Sequence, residues 1–183
     1  MNFKELDIKG VWLIEPKRFG DHRGYFCETF KKQEFEDTIG NVEFIQDNES
    51  MSSRGVLRGL HFQRGEFSQA KLVRVSRGRV LDVAVDLRGS SPTYGKHVAV
   101  ELSQENGLQL FIPRGFAHGF VVLSEMAQFQ YKVDNVYAPQ SEMTLKFNDP
   151  ALDIDWILPS DEMKLSEKDT RGMELKDIEP FRL

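Results

Sequence analysis

Apolar and polar residues alternate with a period of two in three stretches. From Val80 to Leu87 the apolar positions are Leu81, Val83, Val85 and Leu87, while Asp82 and Asp86 fall on the opposite face. Val98, Val100 and Leu102 repeat the pattern around Glu101, and Leu108, Leu110 and Ile112 repeat it around Gln109. Such alternation predicts strands that bury one face and leave the other for polar contacts. Turn residues separate the runs at Arg77-Gly78, Gly89-Ser90-Ser91-Pro92 and Glu105-Asn106-Gly107. Short strands with frequent turns predict an antiparallel sandwich or barrel, not a βαβ array. Helical signal is thin. Lys31 to Thr38 predicts about two turns. Ser166 predicts a capped C-terminal helix, with Asp169 as its capping-box-like partner. The segment 150–183 is less strand-like than the middle and is expected to wrap the sheet core.

Composition narrows the class. The 183 residues suit one domain, read here as 1–183 with a core of about 10–156 and a C-terminal appendage of about 157–183. The 24 Lys and Arg against 29 Asp and Glu give a net charge of −5, so the broad basic footprint of a nucleic-acid binder is missing. An anionic ligand would need a local basic cluster. Cys27 is the only cysteine, which rules out an internal disulfide and a cysteine-based zinc site. No apolar run approaches the ~20 residues of a spanning helix. The N-terminus shows no secretory signal, so the expectation is a cytoplasmic protein without membrane or nucleic-acid partners.

Several common motifs fail on spacing. Gly89 to Lys96 departs from a phosphate loop, with five residues between its glycines and His97 where a hydroxyl should stand. No dinucleotide fingerprint follows a predicted strand, and no Gly-x-Ser-x-Gly elbow is present. Two histidines have more telling surroundings. His61 lies in GVLRGLHFQ (Gly55 to Gln63) and His118 in GLQLFIPRGFAHGF (Gly107 to Phe120). Gly107, Pro113, Gly115 and His118 fit Gly-x5-Pro-x-Gly-x2-His. The two segments resemble the motifs of the cupin superfamily. That resemblance implies a mainly β, jelly-roll barrel or sandwich with short peripheral helices. Gln63 stands where a metal cupin carries its second histidine, and Val122 where an asparagine is usual. The resemblance therefore implies a barrel without a metal or other cofactor.

A narrower resemblance runs in order from about Gly10 to Trp156. It is carried by RFGDHRGYFCETF (Arg18 to Phe30), FIQDNES (Phe44 to Ser50), GVLRGLHFQ, AKLVRVSRGRVLDVAVDLRGSSPTYG (Ala70 to Gly95), IPRGFAHGF (Ile112 to Phe120), Tyr131-Lys132, YAPQSE (Tyr137 to Glu142) and FNDPALDIDW (Phe147 to Trp156), and weakly by Ser166 to Asp169. These segments are similar to the dTDP-4-dehydrorhamnose 3,5-epimerases. The family acts on a dTDP-linked 4-keto-6-deoxyhexose, whose C3 and C5 protons both flank the C4 ketone. Inversion there needs a base, a stabilised enolate and an acid on the other face.

The resemblance implies His61 as the base, since an imidazole of pKa near ~6.5 is largely neutral at pH 7. Asp169 would bond its other nitrogen, a role that competes with the helix cap read from the sequence alone. Tyr131 would be the acid, its phenol staying protonated near neutrality; on residues alone it is as readily a core tyrosine. Alternation puts Phe129 and Tyr131 on one face. Lys71 would face the developing C4 oxyanion. Arg58 would share that role or hold sugar or phosphate oxygens, and His118 would form a polar wall of the pocket. Arg23, Glu28, Gln46, Asn48, Glu142 and Lys168 match the family's ligand contacts, Arg23 and Lys168 suiting a diphosphate. Phe19, Phe26 and Tyr137 are stacking candidates for thymine, or else core aromatics. Together these imply a basic pocket in an acidic chain.

Three departures are expected to touch the pocket rim: Phe62 in place of a frequent tyrosine, Gly65 to Ser68 without a proline, and Glu142 without a following glycine. Other readings stay open. A related mono-epimerase or ketoisomerase would use the same groups. A non-catalytic sugar-binding cupin would need neither His61 nor Tyr131, and a metal-dependent cupin would need a fuller ligand set. The family resemblance also implies a homodimer with strand exchange, in which Arg23 and Glu28 serve the neighbouring subunit.

Overall fold

In chain order, the computed structural model, which describes residues 1–182, holds these elements. The strands are β1 Asn2–Glu5, β2 Trp12–Glu15, β3 Arg18–Asp21, β4 Gly24–Cys27, β5 Gln46–Ser53, β6 Leu57–Gln63, β7 Lys71–Arg77, β8 Arg79–Asp86, β9 His97–Ser103, β10 Gln109–Ile112, β11 Phe116–Val122, β12 Met126–Val133 and β13 Glu142–Thr144. The α-helices are α1 Lys32–Thr38 and α2 Glu167–Thr170. A six-stranded sheet runs β1-β2-β10-β7-β12-β5, a five-stranded sheet runs β13-β6-β11-β8-β9, and β3–β4 forms a separate hairpin. Their strand pairs are antiparallel, so the mainly β, jelly-roll architecture is present. β1 pairs with β2 and Ile8 is buried, so the sheet begins upstream of the expected core boundary at residue 10.

The sheets close on an inner core of Val73, Val75, Phe129, Val80, Ala84, Leu110 and Phe120. The side of β8 that carries Leu81, Val83, Val85 and Leu87 does not face this interior. It packs outward against the C-terminal wrap, through Leu152, Trp156, Ile178 and Phe181. The polar side of β8 is therefore the inside of the barrel. Asp82 and Asp86 are fully buried there, and the polar contacts that alternation predicts for this face are made inside the protein. Asp86 is held by Arg88, Ser91 and Thr93.

On the far side, α1 lies against the outer face of the six-stranded sheet. A seven-residue helix is too short to persist alone. Phe35 anchors it, with ring centroids 5.6 Å from Phe30, 5.6 Å from Phe44 and 5.2 Å from Phe111. Burying that ring contributes roughly 1.5–3 kcal/mol.

One irregularity positions the site. Between β6 and β11, His61 pairs with His118 and Arg58 with Phe120, so three steps on β6 match two on β11. A regular strand would point residues 58 and 61 to opposite faces. The bulge turns both inward. Glycines permit it: a Cβ on Gly59 would sit 2.6 Å from the Gly119 Cα, and one on Gly119 2.6 Å from the Arg58 carbonyl oxygen. Gly59 also has φ +146°.

Candidate active site

The interior opens into a cavity of about 320 Å³ lined by Arg58, His61, Lys71, His118, Phe120, Phe129, Tyr131, Ser166, Lys168 and Asp169, with Glu49 and Ser50. His61 and His118 come from the five-stranded sheet, on β6 and β11. Lys71 and Tyr131 come from the facing six-stranded sheet, at the start of β7 and on β12. Three cations, Arg58, Lys71 and Lys168, line the cavity beside the two acids Glu49 and Asp169. A hollow of about 380 Å³ on the outer face of the six-stranded sheet lies beside Arg74, Gln109 and Lys132, and its lining lacks His61, Lys71 and Asp169.

His61 Nε2 lies 2.5 Å from Asp169 Oδ1. Asp169 is 3% exposed, and its second oxygen accepts from the Ser166 hydroxyl at 2.7 Å. The Asp169 amide also donates to Ser166 Oγ, so cap and dyad coexist on one turn of helix. Burial pushes the Asp169 carboxyl up, but the bonds from His61 and Ser166 outweigh it and hold it below the ordinary carboxylate range. A carboxylate only accepts, so His61 carries a proton on Nε2, and in the neutral ring the lone pair lies on Nδ1.

Burial pushes the Tyr131 phenol up, with Arg58 pulling against it and Glu142 adding to it. The phenol keeps its proton at neutral pH. Burial, with a smaller push from Lys168, lowers the Lys71 ammonium to about 8 despite the pull of Asp82 and Glu142. It remains mostly charged at pH 7. His118 Nε2 lies 3.0 Å from Asp82 Oδ2. Burial lowers its pKa more than Asp82 restores it, which leaves a neutral imidazole. Arg58 is steadied by donating to Ser52 Oγ at 3.1 Å.

Next to the lining residue Lys168, though outside the lining themselves, Tyr137 donates to Glu142 at 2.8 Å and the other Glu142 oxygen pairs with Lys168. Gln46 and Asn48 lie on β5, opposite Val133 and Tyr131, and bond each other at 2.7 Å. Phe19, Arg23, Phe26 and Glu28 do not line this cavity. Phe19 and Phe26 are 50% and 64% exposed on the β3–β4 hairpin, where Arg23 meets only Asp21 at 2.6 Å. Glu28 lies 3.9 Å from Lys31. Phe62 is likewise not at the rim. It is buried on the outer face, its ring 5.9 Å from Phe181.

Sequence reasoning missed Asp82, Ser52, Ser50 and Glu49. The signal for Asp82 was an acid inside an otherwise apolar strand. Ser50 and Ser52 continue the i, i+2 series of Gln46 and Asn48. Gln63 is committed to two loops: its amide donates to the carbonyls of Phe67 and Val136 and accepts from the Ala138 N–H.

A cupin barrel whose facing walls carry a carboxylate-backed imidazole and a protonated phenol, with an ammonium nearby, defines an acid–base enzyme that moves protons beside a polarised oxygen. Residues 5–177 match the family model described as dTDP-4-dehydrorhamnose 3,5-epimerase. A curated protein of that name from Pseudomonas aeruginosa is 52% identical over 99% of both chains. The crystal structure of the enzyme from Elizabethkingia anophelis is 54% identical over 97% of each chain, with a TM-score of 0.93. That of dTDP-6-deoxy-D-glucose-3,5-epimerase from Legionella pneumophila, in complex with dTDP-4-keto-L-rhamnose, is 47% identical over 100% of this chain and 98% of its own, with a TM-score of 0.95. The chain belongs to the dTDP-4-dehydrorhamnose 3,5-epimerase family and is an isomerase.

Proposed function

We propose that the chain inverts C3 and C5 of dTDP-4-dehydro-6-deoxy-D-glucose to give dTDP-4-dehydro-L-rhamnose, a step of dTDP-L-rhamnose synthesis, with His61 as base and Tyr131 as acid. The observation that carries this reading is that His61, backed by Asp169 from α2, and Tyr131 come from facing sheets and line one cavity. His61 Nδ1 takes the proton from a carbon next to the C4 ketone. The C–H electron pair forms a C=C bond and the carbonyl pair moves to the C4 oxygen. The Lys71 ammonium stabilises that oxyanion more than the neutral ketone, which lowers the barrier. Tyr131 then gives its proton to the opposite face of the same carbon, and the carbonyl re-forms. Water reprotonates Tyr131 and removes the proton from His61, so the cycle repeats at the second carbon.

Arg58, Lys168 and Arg23 suit the diphosphate, Gln46, Asn48, Glu142 and His118 the sugar and nucleoside polar groups, and Tyr137, Phe19 and Phe26 the thymine ring. The exposure of the hairpin aromatics supports a homodimer in which one subunit's β3–β4 hairpin, with Arg23 and Glu28, serves the other's cavity. No helix among the described residues is long and apolar enough to cross a membrane. Together with the single free cysteine, this suits an enzyme working in the cytoplasm on a nucleotide sugar.

The test is proton NMR of dTDP-4-keto-6-deoxyglucose incubated with the protein. Ring coupling constants of the L-rhamno product support the reading. Inversion at one carbon only points to a mono-epimerase, and no conversion refutes the assignment.

A further inference from the structure

The loops 64–69 and 134–138 are joined to each other by side-chain amides. Gln63 is 5% exposed, and both ends of its amide are used. Nε2 donates to the Phe67 carbonyl at 2.7 Å and to the Val136 carbonyl at 3.0 Å, while Oε1 accepts from the Ala138 N–H at 2.7 Å. Gln69 donates to the Asn135 carbonyl at 2.8 Å. Asn135 donates back to the Glu66 carbonyl at 2.7 Å. Each loop thus supplies carbonyls to the amides of the other.

The clasp connects to the site through Glu142, which pairs with the lining residue Lys168. Tyr137 lies between the two residues that Gln63 bonds, Val136 and Ala138. Its ring is 56% exposed, and its hydroxyl reaches Glu142, which pairs with Gln63 across β13 and β6. The backbone on both sides of Tyr137 is therefore fixed by one buried side chain, while the ring stays free to meet a ligand. An amide suits this position because it offers donors and an acceptor without a charge that would have to be buried.

We propose that Gln63 is a positioning residue that holds the 134–138 loop so that Tyr137 is pre-set for the nucleotide end of the substrate. The inference rests on the nucleotide-sugar reading above. It assigns Gln63 an effect on binding and none on proton transfer. Pre-set binding groups lower the ordering cost of association, so their release weakens affinity and leaves the chemical step intact.

The test compares Gln63→Met, Tyr137→Ala and the double variant in the full chain. Gln63→Met is expected to raise KM for the dTDP-sugar and Kd for dTDP alone by about five- to tenfold, with kcat within about twofold of wild type. Gln63→Met and Tyr137→Ala are expected to act through one path, because without the ring there is nothing left for Gln63 to pre-set, so the double variant binds within about twofold of the weaker-binding single one. Amide exchange should quicken at Ala138 and within 64–69 and 134–138, not across the two sheets. If Gln63→Met does not fold, Gln69→Ala loosens the same clasp from a less buried position and should move Kd in the same direction. A fall in kcat at unchanged KM, multiplicative effects in the double variant, or exchange quickened throughout the barrel would overturn the proposal. Amide exchange and dTDP affinity need no turnover, so they test the clasp even if the substrate assignment fails.

Discussion

Replacing Asp169 by Asn isolates the charge in the His61–Asp169 pair. The Asn carbonyl can face His61 and its amino group can donate to Ser166 Oγ, so the imidazole keeps the tautomer set by the 2.5 Å contact. What is lost is the negative partner of the imidazolium that forms when His61 takes a proton. A hydrogen bond to a charged group contributes about 1.5–3 kcal/mol. At about 1.4 kcal/mol per tenfold, kcat should fall roughly 10- to 150-fold. KM should change little, because Asp169 is buried behind His61 and the charge matters only once the proton has moved. The assay is initial-rate NMR on dTDP-4-keto-6-deoxyglucose, with a thermal melt to show that the barrel is intact. A variant that melts like wild type and turns over within about twofold of it would refute the dyad. A rise in KM at constant kcat would show that Asp169 serves binding instead.

Three further outcomes follow from the same geometry. Tyr131→Phe keeps the packing against Phe129 and removes the acid; epimer formation should fall by about 10²- to 10⁴-fold while deuterium exchange beside the ketone continues, and equal loss of both in D2O would contradict the assignment. Lys71, lowered to about 8, loses its charge as pH rises through that value, so kcat should decline on the alkaline side near pH 8; Lys71→Met should abolish that limb and lower kcat by about 10²- to 10³-fold, and an unchanged limb in the variant would assign it elsewhere. Gly59→Ala would set its Cβ 2.6 Å from the Gly119 Cα and force the two strands apart, which should cost about 1–3 kcal/mol in urea unfolding and displace Arg58 and His61; a variant as stable and active as wild type would show that the bulge does not need the glycine.

Homodimer sharing has its own test by mixing. Arg23→Ala and His61→Ala proteins, each weak alone, should regain activity when their subunits are exchanged, since one mixed site then holds both Arg23 and His61. No recovery in verified heterodimers would place Arg23 in its own subunit's site.

Much of the sheet was legible in the sequence because alternation at 80–87, 98–102 and 108–112 is a direct image of strand geometry. The direction of each face was not. In β8 the apolar series faces the C-terminal wrap, whose own sequence shows no clear pattern, and the polar series faces the interior. A strand buried on both sides gives no sign of which side holds the ligand. The Ser166–Asp169 pair was read as a cap, and it is one; its second role needs His61, 108 residues away in sequence, which only the fold brings near. Arg58 and His61 share a face because of a bulge, a departure from period two that two glycines allow but do not announce. The exposed hairpin carries Arg23, Phe19 and Phe26 away from their own cavity, and no local pattern reveals that.

If His61 is the one base, on one wall, for both carbons beside the ketone, deuterium incorporation into dTDP-4-keto-6-deoxyglucose in D2O, resolved by position, separates wild-type protein from His61→Ala. Deuterium is expected at both C3 and C5 with wild type and at neither with His61→Ala. Exchange at either carbon in the His61→Ala protein, at a rate comparable to wild type, would contradict that role for His61.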